Sequence, residues 1–384
     1  MNILILTMLF PNSQEPAKAP FNLEIAKGLA KLANVVVIAP VRIPSLIKIR
    51  KIPFYENIEG ICVFHPRIFL PPKIFIFLHG WIYYYAIKKW LDINREIEFD
   101  IILSPYLFPD GFAATLLAKY FKKKVVVEAL GCDVNLLSKF FIRKRLIKYC
   151  CLLSDKVISV NEDMKEKLML MGIPEEKIRV IYNGVDKNKF KVLDKNICRE
   201  KLLLPLDKKI FLFVGNLEKV KGVHTLLEAW KEFISNSSSE YLLVIVGNGR
   251  EKKNMERFIR EENLTDSVRL VGIRPPLEIP EWMNACDIFC LPSIREGFPN
   301  VLLEALSCRK FIIASKVGGI PEIISSAEQG MLVTPSRPTE LRKAFEDSLL
   351  KFSSDDRKIP RILSWDESSL ERYEVFKELI ESRT

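Results

Sequence analysis

Three histidines in 384 residues, His65, His79 and His224, lie far apart and form no metal-ligand cluster along the chain. The eight cysteines (Cys62, Cys132, Cys150, Cys151, Cys198, Cys286, Cys290 and Cys308) include no CxxC pair of the zinc or dithiol-redox kind. Most stand in apolar surroundings, which reads as reduced, partly buried thiols of a cytosolic protein. The longest apolar run, Ile74 to Ile87, has 14 residues; a membrane-spanning helix needs about 20. The opening MNILILTMLFPN has no basic residue ahead of it and no small-residue cleavage site, so it reads as a first β-strand and not as a secretory leader. Internal repeats and low-complexity tracts are missing as well. Zinc modules, dithiol oxidoreductases, membrane-spanning proteins and solenoids are thereby set aside.

What is present is an ordinary globular composition, 48% hydrophobic and 28% charged, in a chain too long for one core, so two domains are expected. Positive charge is unevenly placed. Residues 1–186 carry 26 Lys and Arg against 18 Asp and Glu, whereas the remainder carries 32 against 30. In the first half, cations interleave with large apolar side chains: RIPSLIKIRKIPFY (42–55), FKKK (121–124) and SKFFIRKRLIKYC (138–150). The pattern fits a solvated basic face and an attraction to anionic lipid headgroups equally well. It would also draw nucleic acid, but no nucleic-acid motif accompanies it.

Short β-branched runs alternate with amphipathic stretches. Strands are predicted at Ile3–Thr7, Val35–Ala39, Ile101–Ser104, Val125–Glu128, Val157–Val160 and Arg179–Tyr182. A second series follows at Ile210–Gly215, Tyr241–Gly247, Val268–Val271, Ile288–Leu291, Phe311–Ala314 and Met331–Val333. Helical patterns such as Asn22–Leu32, Val223–Phe233 and Arg250–Glu261 separate them. This alternation predicts an α/β protein with two doubly wound parallel sheets. The break falls in the polar, turn-rich stretch 186–208, giving domains 1–186 and 187–364. At the end of the chain, Ser364 and Glu367 have capping-box spacing, and Tyr373, Phe376 and Ile380 share one helical face that must pack on something.

Open parallel sheets bind ligands beyond the carboxyl ends of their strands, so the polar turns there are the places to search. VGNLEKVKG (214–222) places Gly215, Asn216, Lys221 and Gly222 just before a helix, which suits an anion such as a diphosphate; equally, it is a glycine turn with a solvent lysine. VGNGRE (246–251) lets Gly247 and Gly249 bring the backbone near a ligand or simply make the turn. In REGFPNVLLEALS (295–307), Pro299 suits a first helical turn. The helical wheel puts Val301, Leu302, Ala305 and Leu306 on the buried side and Asn300, Glu304 and Ser307 on a polar one. Glu304 is therefore either a solvent-facing residue or one of two carboxylates, with Glu296, that flank a set of backbone amides; such a pair suits a ligand with hydroxyls at both ends and phosphate between. KVGGIPE (316–322) adds a fourth turn. Four along one sheet edge make a nucleotide-sized pocket.

These residues resemble the Glu-x7-Glu motif of retaining glycosyltransferases with the GT-B fold, the group 1 or family 4 class. ACDIFCLPSIREGFPNVLLEALS, FVGNLEKVKG, YNGVD (182–186), VGNG, VGGIPEII, GMLV, the N-terminal ILILTMLFPN and the closing SWDE all take part. The similarity is dense over 180–335 and loose over 40–100. It implies two Rossmann-like domains facing a cleft, with the last helix (365–384) returning to the N-terminal domain. Nucleotide-sugar would bind the C-terminal domain, and a sugar or lipid-linked acceptor the N-terminal one. Glu304 would hydrogen-bond the ribose hydroxyls, and Glu296 would lie at the donor sugar. The amides of Gly297, Phe298 and Asn300 would surround sugar and phosphate, and Lys221 would neutralise the diphosphate leaving group. Asp133, in EALGCDVN (128–135), would join Glu296 and Lys221 on the catalytic side. No metal or other cofactor is expected. The implied setting is cytoplasmic, at the inner face of an anionic membrane, in synthesis of cell-envelope polysaccharide or glycolipid.

The sequence also departs from the family pattern. Asn216 stands where an arginine is frequent, Leu130 where a His or Arg precedes Gly-x-Asp, and Ala19 near an expected glycine. Arg309 and Phe311 replace a small residue and a proline. These departures, concentrated on the acceptor and catalytic side, motivate an alternative: a non-catalytic relative that binds a partner or sugar. An epimerase or phosphorylase of the same fold is a third reading, and a phosphorylase would need a cofactor-bearing lysine site that the sequence does not display.

Overall fold

The computed structural model describes residues 1–43, 52–71, 73–135, 140–235, 240–351 and 360–382. Two of the basic, apolar-studded stretches fall partly outside these limits, at 44–51 and 138–139. The chain forms two compact units: residues 1–183 with the returning segment from Leu363, and residues 184–362. The crossings thus lie at Gly184 and Leu363, where the sequence placed them at 187 and 365.

In the first unit the strands are β1 (Asn2–Leu6), β2 (Asn34–Ile38), β3 (Val41–Ile43), β4 (Tyr55–Ile58), β5 (Ile61–Phe64), β6 (Arg67–Phe69), β7 (Ile101–Ser104), β8 (Lys124–Ala129), β9 (Lys156–Ser159) and β10 (Ile178–Val180). Eight of them form one sheet in the order β10-β9-β8-β7-β1-β2-β5-β4. Every pairing is parallel except β4–β5, an antiparallel hairpin turning at Glu59 and Gly60. β3 and β6 pair separately, in parallel. Neither the hairpin nor this small sheet is among the strands predicted from the sequence. Their strands are three or four residues long, too short to declare a period.

The second unit contains β11 (Lys209–Val214), β12 (Tyr241–Val246), β13 (Val268–Gly272), β14 (Ile288–Leu291), β15 (Phe311–Ser315) and β16 (Gly330–Val333). They form a six-stranded, wholly parallel sheet in the order β13-β12-β11-β14-β15-β16. Strands β14 and β15 are buried throughout, as expected for a sheet covered by helices on both faces. Its core gathers Phe211, Trp230, Phe233 and Phe345 into mutual edge-on and tilted ring contacts. At the amino end of β14, buried Asp287 accepts from Arg199 Nη2 at 2.6 Å and from the Ile210 amide at 2.8 Å, tying the Lys195–Lys201 helix to the sheet.

The helix Trp365–Glu381 belongs to the first unit. Its predicted capping box is formed: Ser364 Oγ accepts from the Glu367 amide, and the Glu367 carboxylate accepts from the Ser364 amide. Phe376 is buried in the core of the first sheet, with Tyr373 and Ile380 packed at its margin. Gly28, on the Pro20–Ala30 helix, permits the approach, since a Cβ there would stand 2.2 Å from Ser369 Oγ. The helix also brings a charge. Arg372 Nε donates to Glu128 Oε1 on β8 at 2.6 Å, and both side chains are fully buried. Arg372 Nη1 donates to the Ser368 carbonyl, and Ser368 Oγ to the Tyr182 carbonyl.

Candidate functional site

In the second sheet the strand order reverses between β11 and β14, the switch point at which such sheets hold ligands. All six strands run the same way, so the loops following β11, β12, β14 and β15 emerge on one edge. These are the four turns singled out in the sequence.

The loops are bound to one another. The Leu217 amide donates to the Asn248 carbonyl and the Glu251 amide to the Leu217 carbonyl, both at 2.9 Å. The Ile294 amide donates to the Val220 carbonyl, and the Gly319 amide to the Gly297 carbonyl, both at 2.8 Å. Gly247, at φ +143°, lies so close to the neighbouring loop that a Cβ would fall 1.9 Å from the Gly215 carbonyl oxygen. At Gly249 the obstacle is the Leu217 carbonyl oxygen, at 2.3 Å. The glycines of VGNG are therefore required by loop against loop; a ligand need not be invoked for either. Gly222, at φ +68°, approaches the Pro292 carbonyl in the same manner.

Across the switch point, Lys221 closes the 3₁₀ turn Lys219–Lys221, and Glu296 sits in the loop after β14. Lys221 Nζ donates to Glu296 Oε1 at 2.7 Å, and Ser293 Oγ donates to the same oxygen at 2.6 Å. Side-chain exposure is 25% for Lys221 and 10% for Glu296, so the pair is shielded but reachable. Ser293 was not foreseen; only its place three residues before Glu296 could have flagged it. Asn216 is exposed beside this pair in sequence.

The helix Asn300–Ser307 follows, with Pro299 at its N-cap and Gly297 and Phe298 leading in. Leu302, Leu303, Ala305 and Leu306 are its buried residues. The wheel had Val301 in place of Leu303; Val301 is only partly covered. Glu304 is half-buried, not solvent-facing. Burial pushes its carboxyl up to about 7, opposed by the charge of Lys189. No described residue donates a hydrogen bond to this carboxylate. Lys189, in the first turn of the second unit, supplies this opposing charge, which the sequence did not reveal.

Asp133 is differently placed. It lies in the first unit, fully buried. Its carboxylate accepts from the backbone amides of Gly131, Val134, Leu130 and Leu107, at 2.9 to 3.3 Å. Burial raises its pKa and these four amides oppose the rise. These hydrogen bonds make Asp133 the organiser of residues 130–135. In the same sheet the order reverses between β1 and β7. There Asp110 accepts from Thr7 Oγ1 and the Met8 amide, both at 2.9 Å, and burial pushes it up to about 6. Ala19 adopts φ +46°, the left-handed backbone that explains why glycine is expected near it.

Among the described residues, no group of three His, Cys, Asp or Glu side chains could hold a metal ion. No described helix is long and apolar enough to cross a membrane. The seven cysteines whose side chains are described are all unbridged.

Two sheets, one wholly and one mainly parallel, each with a reversal of strand order, define a protein of two Rossmann-like domains. Residues 194–359 match the family described as glycosyl transferases group 1, and residues 21–189 match glycosyltransferase family 4. The chain belongs to the group 1 glycosyltransferases of the GT-B fold. A candidate teichuronic acid biosynthesis glycosyltransferase of Bacillus subtilis is 27% identical over 360 residues, 90% of this chain and 88% of the relative. Among solved structures, sucrose-phosphate synthase of Thermosynechococcus elongatus superposes with a TM-score of 0.81 over 99% of both chains at 20% identity. An Anabaena protein solved with UDP and glucose superposes with a TM-score of 0.74 at 21% identity, covering 98% of this chain and 99% of its own.

Proposed function

We propose that this transferase takes a sugar from a nucleotide-sugar held by the second unit and passes it, with retention of anomeric configuration and without a metal, to a hydroxyl acceptor held by the first. The observation that carries the donor assignment is Glu304: a half-buried carboxylate, raised to about 7, that receives no hydrogen bond from any described residue. A ribose offers two adjacent hydroxyl donors, which is what such a group lacks. Eight positions earlier, Glu296 holds Lys221. On donor binding the diphosphate takes over Lys221, and Glu296 is released towards the sugar hydroxyls. As the bond from the anomeric carbon to the diphosphate breaks, charge grows on the leaving oxygen beside a preset cation, the arrangement that lowers such barriers most. The amides of Gly297, Phe298 and Asn300 at the helix start supply further positive potential, and Gly215, Asn216, Gly247 and Gly249 shape the rim. Asp133 acts indirectly, by holding the loop that would face the acceptor.

The acceptor is proposed to be a lipid-linked or envelope sugar met at an anionic membrane. The Phe141–Leu153 helix exposes Phe141, Ile142 and Tyr149 beside basic residues. Arg145 lies over the Phe141 ring at 4.2 Å and Arg143 over Phe140 at 4.4 Å. Aromatic and basic groups presented together favour an anionic interface.

Isothermal titration with UDP, GDP and ADP, followed by turnover of the matching nucleotide-sugars, tests the reading. Binding by none of the three would overturn it. Binding without transfer or hydrolysis across a panel of acceptors would favour the non-catalytic alternative. The anomeric configuration of the product, read by proton NMR, tests retention.

A further inference from the structure

We propose that the second unit carries another anion site, for a phosphate dianion borne on an apolar body, at the far end of the helix that follows the donor loop. A pocket of about 420 Å³ is walled by Lys187, Lys191, Arg309 and Arg361 over a floor that includes Phe190 and Ile362. Among the described residues, no acidic one lines it. The four cations come from three separate segments: the first residues of the unit, the end of the Asn300–Ser307 helix, and the last residues before the chain leaves the unit. A basic run in the sequence would not bring them together; the fold does. Lys191 and Arg309 are exposed and make no ion pair with any described residue. Lys187 and Arg361 make other contacts as well.

Arg309 is the most telling of the four. It follows the helix at φ +55°, with its amide donating to the Leu306 carbonyl at 2.8 Å. Glycine is the usual residue at such a helix end, because a side chain is strained there. The negative end of the helix dipole accounts for one cation at this position. It does not account for three more converging from elsewhere. That same dipole repels an anion, which is why an anion site here would need several cations. Guanidinium groups grip phosphate through paired hydrogen bonds. The floor of Phe190 and Ile362, both nearly buried, gives the remainder of the ligand an apolar seat. The site is separate from Lys221. The Asn300–Ser307 helix has eight residues, about 12 Å of rise, and the pocket lies at its far end.

The test is isothermal titration of the intact protein with inorganic phosphate, octyl phosphate and octyl glucoside. The variants are Arg309→Gly with Lys191→Gln, and separately Lys221→Gln. Arg309→Gly removes the cation and relieves the backbone, so the fold is retained. Octyl phosphate is expected to bind the wild type and to bind the double variant at least about tenfold more weakly. Lys221→Gln should leave the Arg309-dependent part of this binding unchanged. Octyl phosphate should bind more tightly than inorganic phosphate; equal binding of the two would overturn the apolar body. Absence of phosphate binding, equal binding of octyl glucoside, or a loss that follows Lys221 in place of Arg309 would overturn it. Because the donor lysine has its own variant, failure here leaves the donor reading intact, and failure there leaves this one standing.

Discussion

The proton on Glu304 should control both stability and donor affinity. In the folded chain its carboxyl is raised from 4.5 to about 7, so the native state holds a proton that the unfolded chain releases. Stability from this group is therefore greatest below about pH 4.5, declines as pH rises from about 4.5 to about 7, and stays lower above. At about 1.36 kcal/mol per pH unit the rise is worth at most about 3.4 kcal/mol. Glu304 keeps some solvent access, and with that discount about 1–2 kcal/mol is expected. Glu304→Gln removes the penalty, so the variant should be more stable than wild type at pH 8 by that amount and equal to it near pH 4.5, in urea unfolding. Donor binding should respond in the opposite sense, because only the ionised carboxylate accepts from both ribose hydroxyls. The phosphates of a nucleotide-sugar are both diesters and do not titrate here. With a bound-state pKa returned below 5, wild-type affinity at pH 5.5 should be about thirtyfold weaker than at pH 8. The Glu304→Gln protein should bind weakly with no such dependence; a dependence that persisted in it would belong to another group, such as Asp110. A flat wild-type profile between pH 5.5 and 8, or undiminished affinity in Glu304→Gln, would refute the reasoning.

Lys221→Gln should fold normally and lose about 10²–10³-fold in turnover, measured with the donor that titration identifies; a loss below tenfold would remove Lys221 from the leaving-group role. Arg372→Met strands the buried carboxylate of Glu128 and should cost about 3–5 kcal/mol, whereas adding Glu128→Leu should recover much of it; thermal melts of the three proteins decide. Gly222→Ala places a methyl on the Pro292 carbonyl in a left-handed backbone and should cost at least about 1–3 kcal/mol. Lost turnover should accompany that cost, since Lys221 is the preceding residue.

The sheets were legible because central parallel strands, buried on both faces, must be written as β-branched apolar runs; β7 and β14 fall where the sequence puts them. The β4–β5 hairpin was not legible, because an edge strand such as Tyr55–Ile58 is partly exposed and mixes charge with apolar residues. Among site residues, the spacing of Glu296 and Glu304 could be read, but the shielding of Glu304 could not. A helical wheel knows only its own helix, and Lys189 arrives from more than a hundred residues away. Gly247 and Gly249 were recognisable as special, yet the surface they approach is another loop. At Asp133 the motif marked the residue, but its burial and its four amide donors could be read only from the fold.

The return of residues 365–382 to the first unit makes that unit discontinuous in sequence, and a ribosome must honour this. While residues 184–362 are being made, the β8 carboxylate of Glu128 has no counter-ion and the groove beside the Pro20–Ala30 helix is open. The first half of the protein is thus committed to maturing last, and a transcript cut short before codon 372 would yield a nascent product with an unfinished interior, suited to capture by chaperones or proteases.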